Sequence, residues 1–160
     1  MAAQRLRNAL KSILHNVGVV LVGFAVAYVG TRLDRLLGIS SFKSGYAFTA
    51  GSLLLGAGFL LRAWATFCFY QHQMKVISLE PQAALLTSGP YRFSRNPLYL
   101  GGNVFIFFGA GLVVGSAAAL AITAIHLPLV DFFIRREERQ LEARFGEAWA
   151  RYHNRVRRWI

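Results

Sequence analysis

From Gly89 to Tyr99 the chain reads Gly-Pro-Tyr-Arg-Phe-Ser-Arg-Asn-Pro-Leu-Tyr, and past the longest charge-free run come Arg135-Arg136-Glu137-Glu138. The first stretch sets flat aromatic faces with polar tips, Tyr91 and Tyr99, beside two guanidinium forks, Arg92 and Arg95, whose geometry suits carboxylates. Gly89-Pro90 is turn chemistry, since glycine admits unusual backbone angles while proline fixes its own and biases its predecessor away from helix. Pro97 suits the first turn of a following helix, where its missing donor is not needed.

The second stretch offers two adjacent carboxylates. Ile134, Leu141, Phe145, Ala148, Tyr152 and Val156 recur with helical spacing and predict an amphipathic helix over about 135–158, with Gly146 a point at which it can break. On a wheel of about 100° per residue, Glu137 and Glu138 fall about 50° either side of the apolar stripe. A carboxylate bordering a buried face needs a partner that brings positive charge and hydrogen bonds. The plainer reading is ion pairing with the adjacent Arg135, Arg136 and Arg139, which carries little energy at a surface.

Membrane-grade sequence must position these groups. Of 160 residues, 55% are hydrophobic and they fall in long blocks. A helix needs about 20 apolar residues to cross about 30 Å of hydrocarbon. Ser12 to Thr31 is one uncharged run, and Ser44 to Leu61 a second, continuing past Arg62 to Tyr70. The third run, Asn96 to Val130, is too long for one crossing and must fold back, with glycines at Gly111 to Ser116 marking the hairpin. The expectation is an all-α integral-membrane protein of one domain, 1–160. It has about four transmembrane helices (12–31, 44–70, 97–113 and 116–134), a long loop from Gln71 to Asn96 broken at Pro81, and a cytoplasmic C-terminal helix. Ala25-Val26-Ala27 resembles a small-residue cleavage pattern, but the uncharged run is long enough to span, so a retained first helix is expected.

Charge sets the orientation. With four spans, both termini and the middle loop share one side, and of the 18 Lys and Arg only Arg32, Arg35 and Lys43 lie opposite, so that side is cytoplasmic. The net charge of +11 flanks the spans, which points to anionic lipid headgroups and away from nucleic acid. Cys68, the only cysteine, reads as a buried inert thiol, and the scattered histidines His15, His72, His126 and His153 predict no metal site. Asp131 is expected to pair with Arg135 one turn on, and His126, near Pro128, to hydrogen-bond within the bilayer and not to act as a base. Arg62 is expected to snorkel to headgroups, pair with a glutamate, or do both.

The segments Leu85 to Gly101 and Arg135 to Tyr152 resemble the integral-membrane methyltransferases that include isoprenylcysteine carboxyl methyltransferases and phospholipid N-methyltransferases. The match rests on Gly89-Pro90-Tyr91, on Arg95-Asn96-Pro97-Leu98-Tyr99, and on Glu137-Glu138 followed by Leu141, Phe145-Gly146 and Tyr152. The resemblance implies S-adenosylmethionine as cofactor, with Leu86 and its neighbours offering backbone bonds to adenine and Tyr91 lining the pocket. Arg95 and Asn96 would grip its polar end and position the reaction, with Gly89, Pro97 and Tyr99 completing that wall and Glu137 and Glu138 facing it. Asn96 stands where many relatives have histidine, which removes a titratable group. Gly56 and Gly58 resemble a further cofactor motif of phospholipid methyltransferases, or else serve close helix packing.

Methyl transfer of this kind needs alignment and a dry pocket, not a covalent enzyme intermediate. A lipophilic acceptor would arrive sideways from the bilayer. The lack of an obvious base leans towards a carboxylate, as in isoprenylcysteine carboxyl methylation, over a phospholipid amine that must first lose a proton. A thiol or hydroxyl acceptor also stays open. The competing class is a non-catalytic four-helix scaffold binding anionic lipid. A transporter is a third, though paired inverted halves are not visible.

Overall fold

The computed structural model describes residues 2–74 and 84–160, which are helical with short connections. Helix α1 spans Ala2–Leu36 and α2 spans Gly45–Gln71. A 3-10 turn at Gly89–Arg92 leads to α3 (Pro97–Val114), followed by α4 (Ala117–Phe145) and α5 (Glu147–Arg155). The first four are long and apolar enough to cross a membrane. Large apolar side chains such as Leu14, Leu21, Leu60 and Ile125 stay exposed on them, as they must where lipid is the solvent. The expected break at Pro81 lies outside the described residues.

Two boundaries differ from expectation. The expected last span and the first part of the helix expected after it are one continuous α4 of 29 residues, about 43 Å at 1.5 Å per residue, so its final turns stand clear of the hydrocarbon. The amphipathic stretch beyond it breaks at Gly146, and α5 holds only its second half.

The hairpin between α3 and α4 forms where glycine permits it. Gly115 caps α3 in the left-handed conformation (φ 67°), and its carbonyl accepts from the Phe42 amide at 3.1 Å and the Ser41 hydroxyl at 3.0 Å. Ser116 caps α4 by accepting from the Ala119 amide at 3.1 Å, and donates to Asp34 Oδ2 at 2.5 Å. Asp34 Oδ1 accepts from the Ala118 amide at 2.9 Å, so the far end of α1 is tied to the start of α4.

Helices α2 and α3 meet backbone to backbone through paired glycines. A Cβ on Gly58 would lie 2.5 Å from the Gly101 carbonyl oxygen, and one on Gly51 would lie 2.7 Å from that of Gly109. Small residues allow this approach where lipid supplies no hydrophobic drive between helices. Gly101 lies in a π-helical segment, Leu100–Ile106, that passes Arg62, whose side chain occupies the space that Cβ atoms on Gly101 and Gly102 would take.

Arg62 is buried and neither snorkels nor meets a carboxylate among the described residues. Its Nε donates to Asn16 Oδ1 at 2.9 Å and its Nη1 to the Leu98 carbonyl at 2.5 Å. Asn16 belongs to a polar seam on α1, at spacing four, that faces α2. Asn8 donates to the Tyr70 carbonyl at 3.0 Å, Ser12 to the Ala63 carbonyl at 2.7 Å, and Asn16 to Thr66 Oγ1 at 2.8 Å. The seam fixes the register of the two helices and gives a buried guanidinium neutral acceptors. In the same bilayer zone His126 Nε2 contacts Asn103 Oδ1 at 3.1 Å, and its ring stacks on Phe107.

Gly56, about half a turn from Gly58, is exposed and would meet nothing with an added Cβ. Gly58→Leu should therefore lower the melting temperature in detergent sharply, overpacking costing about 1–3 kcal/mol or more, while Gly56→Leu leaves it unchanged or raised.

Candidate functional site

Gly89 starts the 3-10 turn at φ 60°, and an added Cβ would sit 3.0 Å from Cys68 Sγ, so both the backbone angle and the space demand glycine. The turn swings Tyr91 inward, where it is 6% exposed and packs on Phe69 with ring centroids 5.9 Å apart. Its carbonyl accepts from the Tyr152 hydroxyl at 2.8 Å, which joins α5 to the motif loop. Burial raises the pKa of both phenols above the ordinary value, so both keep their protons. The Tyr91 hydroxyl, buried, has no hydrogen-bond partner among the described residues.

Tyr91 itself lines a hollow of about 600 Å³, counted out to its open mouth. Phe69, Met74, Leu85, Leu86, Leu141 and Trp149 give it an apolar lining, and Arg95, Asn96, Tyr99, Glu137 and Glu138 add polar groups. A mostly apolar lining with a few convergent polar groups is the pattern of small-molecule sites. Two distant stretches therefore share one hollow, with Leu86, Tyr91, Pro97 and Tyr99 on it as well.

The two glutamates have different partners. Glu138, buried, receives Arg95 through Nε and Nη2, each 3.1 Å from Oε1. Arg158 reaches its other oxygen through Nη2 at 2.6 Å and Oε1 through Nε at 3.3 Å. Arg158 Nη1 also donates to Asp131 Oδ1 at 3.2 Å, and Arg135 Nε to Asp131 Oδ2 at 2.6 Å. An alternating ladder, Arg95–Glu138–Arg158–Asp131–Arg135, thus crosses three segments. Hydrogen bonding to Glu138 holds the Arg158 guanidinium still further above its usual value, so it is charged throughout. Glu137 is exposed at the mouth, and its Oε1 accepts from the neutral Tyr99 hydroxyl at 2.8 Å.

The motif loop is also clamped by the segment that follows α5. The Arg95 amide donates to the Arg157 carbonyl at 2.9 Å, and Arg95 Nη1 to the carbonyls of His153 and Val156, both at 2.8 Å. Ser94 Oγ and Asn96 Nδ2 donate to the Arg158 carbonyl at 3.2 and 3.3 Å.

Sequence expectation and structure differ in four respects. Arg95 and Asn96, expected to grip a ligand, spend most of their hydrogen-bonding capacity on the chain itself while still lining the hollow. Local pairing of the glutamates with Arg135, Arg136 and Arg139 is not what the structure shows; their partners come from positions 95, 99 and 158. Gly89 shapes the turn from behind the wall, and Gly56 and Gly58 lie outside the hollow, Gly58 serving helix packing. Asp131 pairs with Arg135 as expected, and with Arg158 in addition. Sequence reasoning passed over Arg158, which it counted only as flanking positive charge, and over Phe69, Met74 and Trp149, whose only signal was hydrophobicity.

The fold and the hollow together define an all-helical protein of membrane-crossing character with a largely apolar hollow edged by polar groups at one face. Comparison with known proteins gives the family. The description "Phospholipid methyltransferase" matches residues 46–148, and the chain belongs to the phospholipid methyltransferase family. It is 32% identical over 156 residues to the cobalt-zinc-cadmium resistance protein CzcN of Cupriavidus metallidurans, an alignment covering 94% of this chain and 67% of that protein. No solved structure matches it.

Tyr152→Phe removes the one hydroxyl that holds the Tyr91 carbonyl and should destabilise the protein by about 1–3 kcal/mol, measured by reversible unfolding in mixed micelles.

Proposed function

We propose that the protein is an S-adenosylmethionine-dependent methyltransferase with its hollow at the cytoplasmic face. The single observation that carries this reading is that one hollow is lined both by Tyr91, whose buried hydroxyl has no partner among the described residues, and by Glu137, which no guanidinium neutralises among those residues. The residues present suit the cofactor. Its adenine is a flat apolar body for the Leu85, Leu86 and Trp149 surfaces, its hydroxyls and carboxylate are acceptors for Tyr91 and the Arg95 side, and its cationic groups suit Glu137. When bound, S-adenosylmethionine supplies a methyl group activated by the adjacent sulfonium.

The chain's own contribution is positional. The apolar wall of Phe69, Leu86, Leu141 and Trp149 excludes water, Tyr91 donates one hydrogen bond, and Glu137 holds positive charge at the mouth. Leu98, on the wall, leads from the hollow into α3 and hence into the bilayer, which suits an acceptor with a lipid-like body.

We favour a carboxylate acceptor, as in isoprenylcysteine carboxyl methylation, because no histidine or lysine is among the described residues lining the hollow and a carboxylate needs no deprotonation near neutral pH. A phospholipid amine is the second reading, favoured by the family description and by Glu137, an exposed carboxylate able to accept a proton at the mouth. Whole membranes incubated with methyl-labelled cofactor separate them: alkali-labile label marks an ester, stable label in headgroup amine the alternative. Absence of transfer would leave the scaffold reading.

Tyr91→Phe should leave stability unchanged or raised, since it deletes an unsatisfied buried hydroxyl, yet weaken cofactor binding about tenfold, the worth of one hydrogen bond. Glu137→Gln should weaken it about 10- to 100-fold, as expected for a charge-assisted contact. Equilibrium binding to purified protein measures both, and wild-type affinity in both variants would contradict the reading.

A further inference from the structure

Arg158 does not face the hollow. It lines a second, more open cleft of about 450 Å³ together with Arg135, Arg139 and His153, and among the described residues only Glu138 and Trp149 face both spaces. Any influence of Arg158 on a ligand in the hollow must therefore pass through the wall. The wall residue it touches is Glu138.

Both oxygens of Glu138 are engaged, Oε1 chiefly by Arg95 and Oε2 by Arg158 at 2.6 Å. With Arg95 alone the carboxylate could turn about its last bond; a cation on each side fixes its plane. The fork is used in full, since Nη1 holds Asp131 while Nη2 and Nε hold Glu138, a division that a single ammonium cannot reproduce. The Arg158 main chain does a separate task, its carbonyl accepting from Ser94 and Asn96. Side chain and backbone are thus separable by mutation, because a substitution at 158 leaves the clamp on the motif loop intact.

We propose that Arg158 is a positioning residue of the methyl-transfer site: with Arg95 it locks Glu138 as a rigid, neutralised part of the wall and leaves Glu137 as the carboxylate that meets a cationic ligand. The adjacent glutamates then have unequal duties, one structural and one ligand-facing. This rests on the methyltransferase reading above. It adds a residue that touches neither cofactor nor acceptor, and a division of labour that adjacency in the sequence hides. Losing Arg158 would give Glu138 freedom to swing into the hollow, where its charge competes with Glu137 and its former place no longer orients Arg95.

The test uses the full chain in lipid nanodiscs, titrated with S-adenosylhomocysteine by calorimetry, so that the readout does not depend on turnover. Arg158→Met should weaken binding about tenfold or more and Arg158→Lys less, about threefold, because charge returns without the fork. In a Glu138→Gln background Arg158→Met should add nothing further, since the two act as one unit. Arg139→Met removes an equal charge from the same cleft and should change affinity by less than about twofold. Steady-state assays should show the loss in KM for the cofactor, with KM for the acceptor unmoved. Wild-type affinity in Arg158→Met, additive losses in the double variant, or an equal loss in Arg139→Met would overturn the proposal and leave the methyltransferase reading standing. If Arg158→Met does not fold, Arg158→Lys decides by the same titration, wild-type affinity overturning the idea. No saturable binding of S-adenosylhomocysteine or S-adenosylmethionine by the wild-type protein would instead remove the reading of the site itself, and this inference with it.

Discussion

Glu138, itself buried, sits between two guanidinium groups, that of Arg95 buried and that of Arg158 partly open to solvent, and the functional face of the protein depends on that arrangement. A buried carboxylate stripped of its partners costs about 3–5 kcal/mol. The loop arginine at 95, the helix acid at 138 and the arginine at 158 therefore have one stable arrangement, and the hollow is the space that it leaves. The main-chain bonds from Ser94, Arg95 and Asn96 to the segment after α5 repeat the same closure without charge. Hydrogen bonds and ion pairs thus agree on where the motif loop must lie.

The membrane-spanning part supplies rigidity for this face. Glycine pairs Gly58 with Gly101 and Gly51 with Gly109 bring α2 against α3, and the polar seam at Asn8, Ser12 and Asn16 brings α1 against α2. Tyr99 and Leu98 open α3, so the helix that the glycines hold in place also carries residues of the wall. Polar chemistry gathers at one face while lipid-facing chains cover the rest, a division suited to joining a water-soluble ligand with a partner dissolved in the bilayer.

Much of this was legible in the chain. Composition marks three long apolar runs, because a bilayer demands them, and the excess length of the third with its Gly111 to Ser116 interruption marks the hairpin at Gly115. The motif loop was legible because turn residues act locally: Gly89 and Pro97 do in the structure what their chemistry suggests. The rest required distance information. Arg158 reads as one more flanking charge until the chain folds back past Gly146, and its partners at 131 and 138 share no periodicity with it. Arg62 suggested headgroups or a glutamate, but the partners it found, Asn16 and the Leu98 carbonyl, are neutral groups brought close by helix packing. Gly58 carried a motif-like neighbour, Gly56, yet the two face opposite surroundings.

The most direct test is an experimentally determined structure of the protein with S-adenosylhomocysteine bound in lipid nanodiscs. The account predicts the ligand in the hollow, within hydrogen-bonding distance of the Tyr91 hydroxyl, with Glu137 at its charged end and Glu138 still held between Arg95 and Arg158. Density for the ligand elsewhere, or a Glu138 released from both arginines to contact it while Glu137 points to solvent, would contradict it.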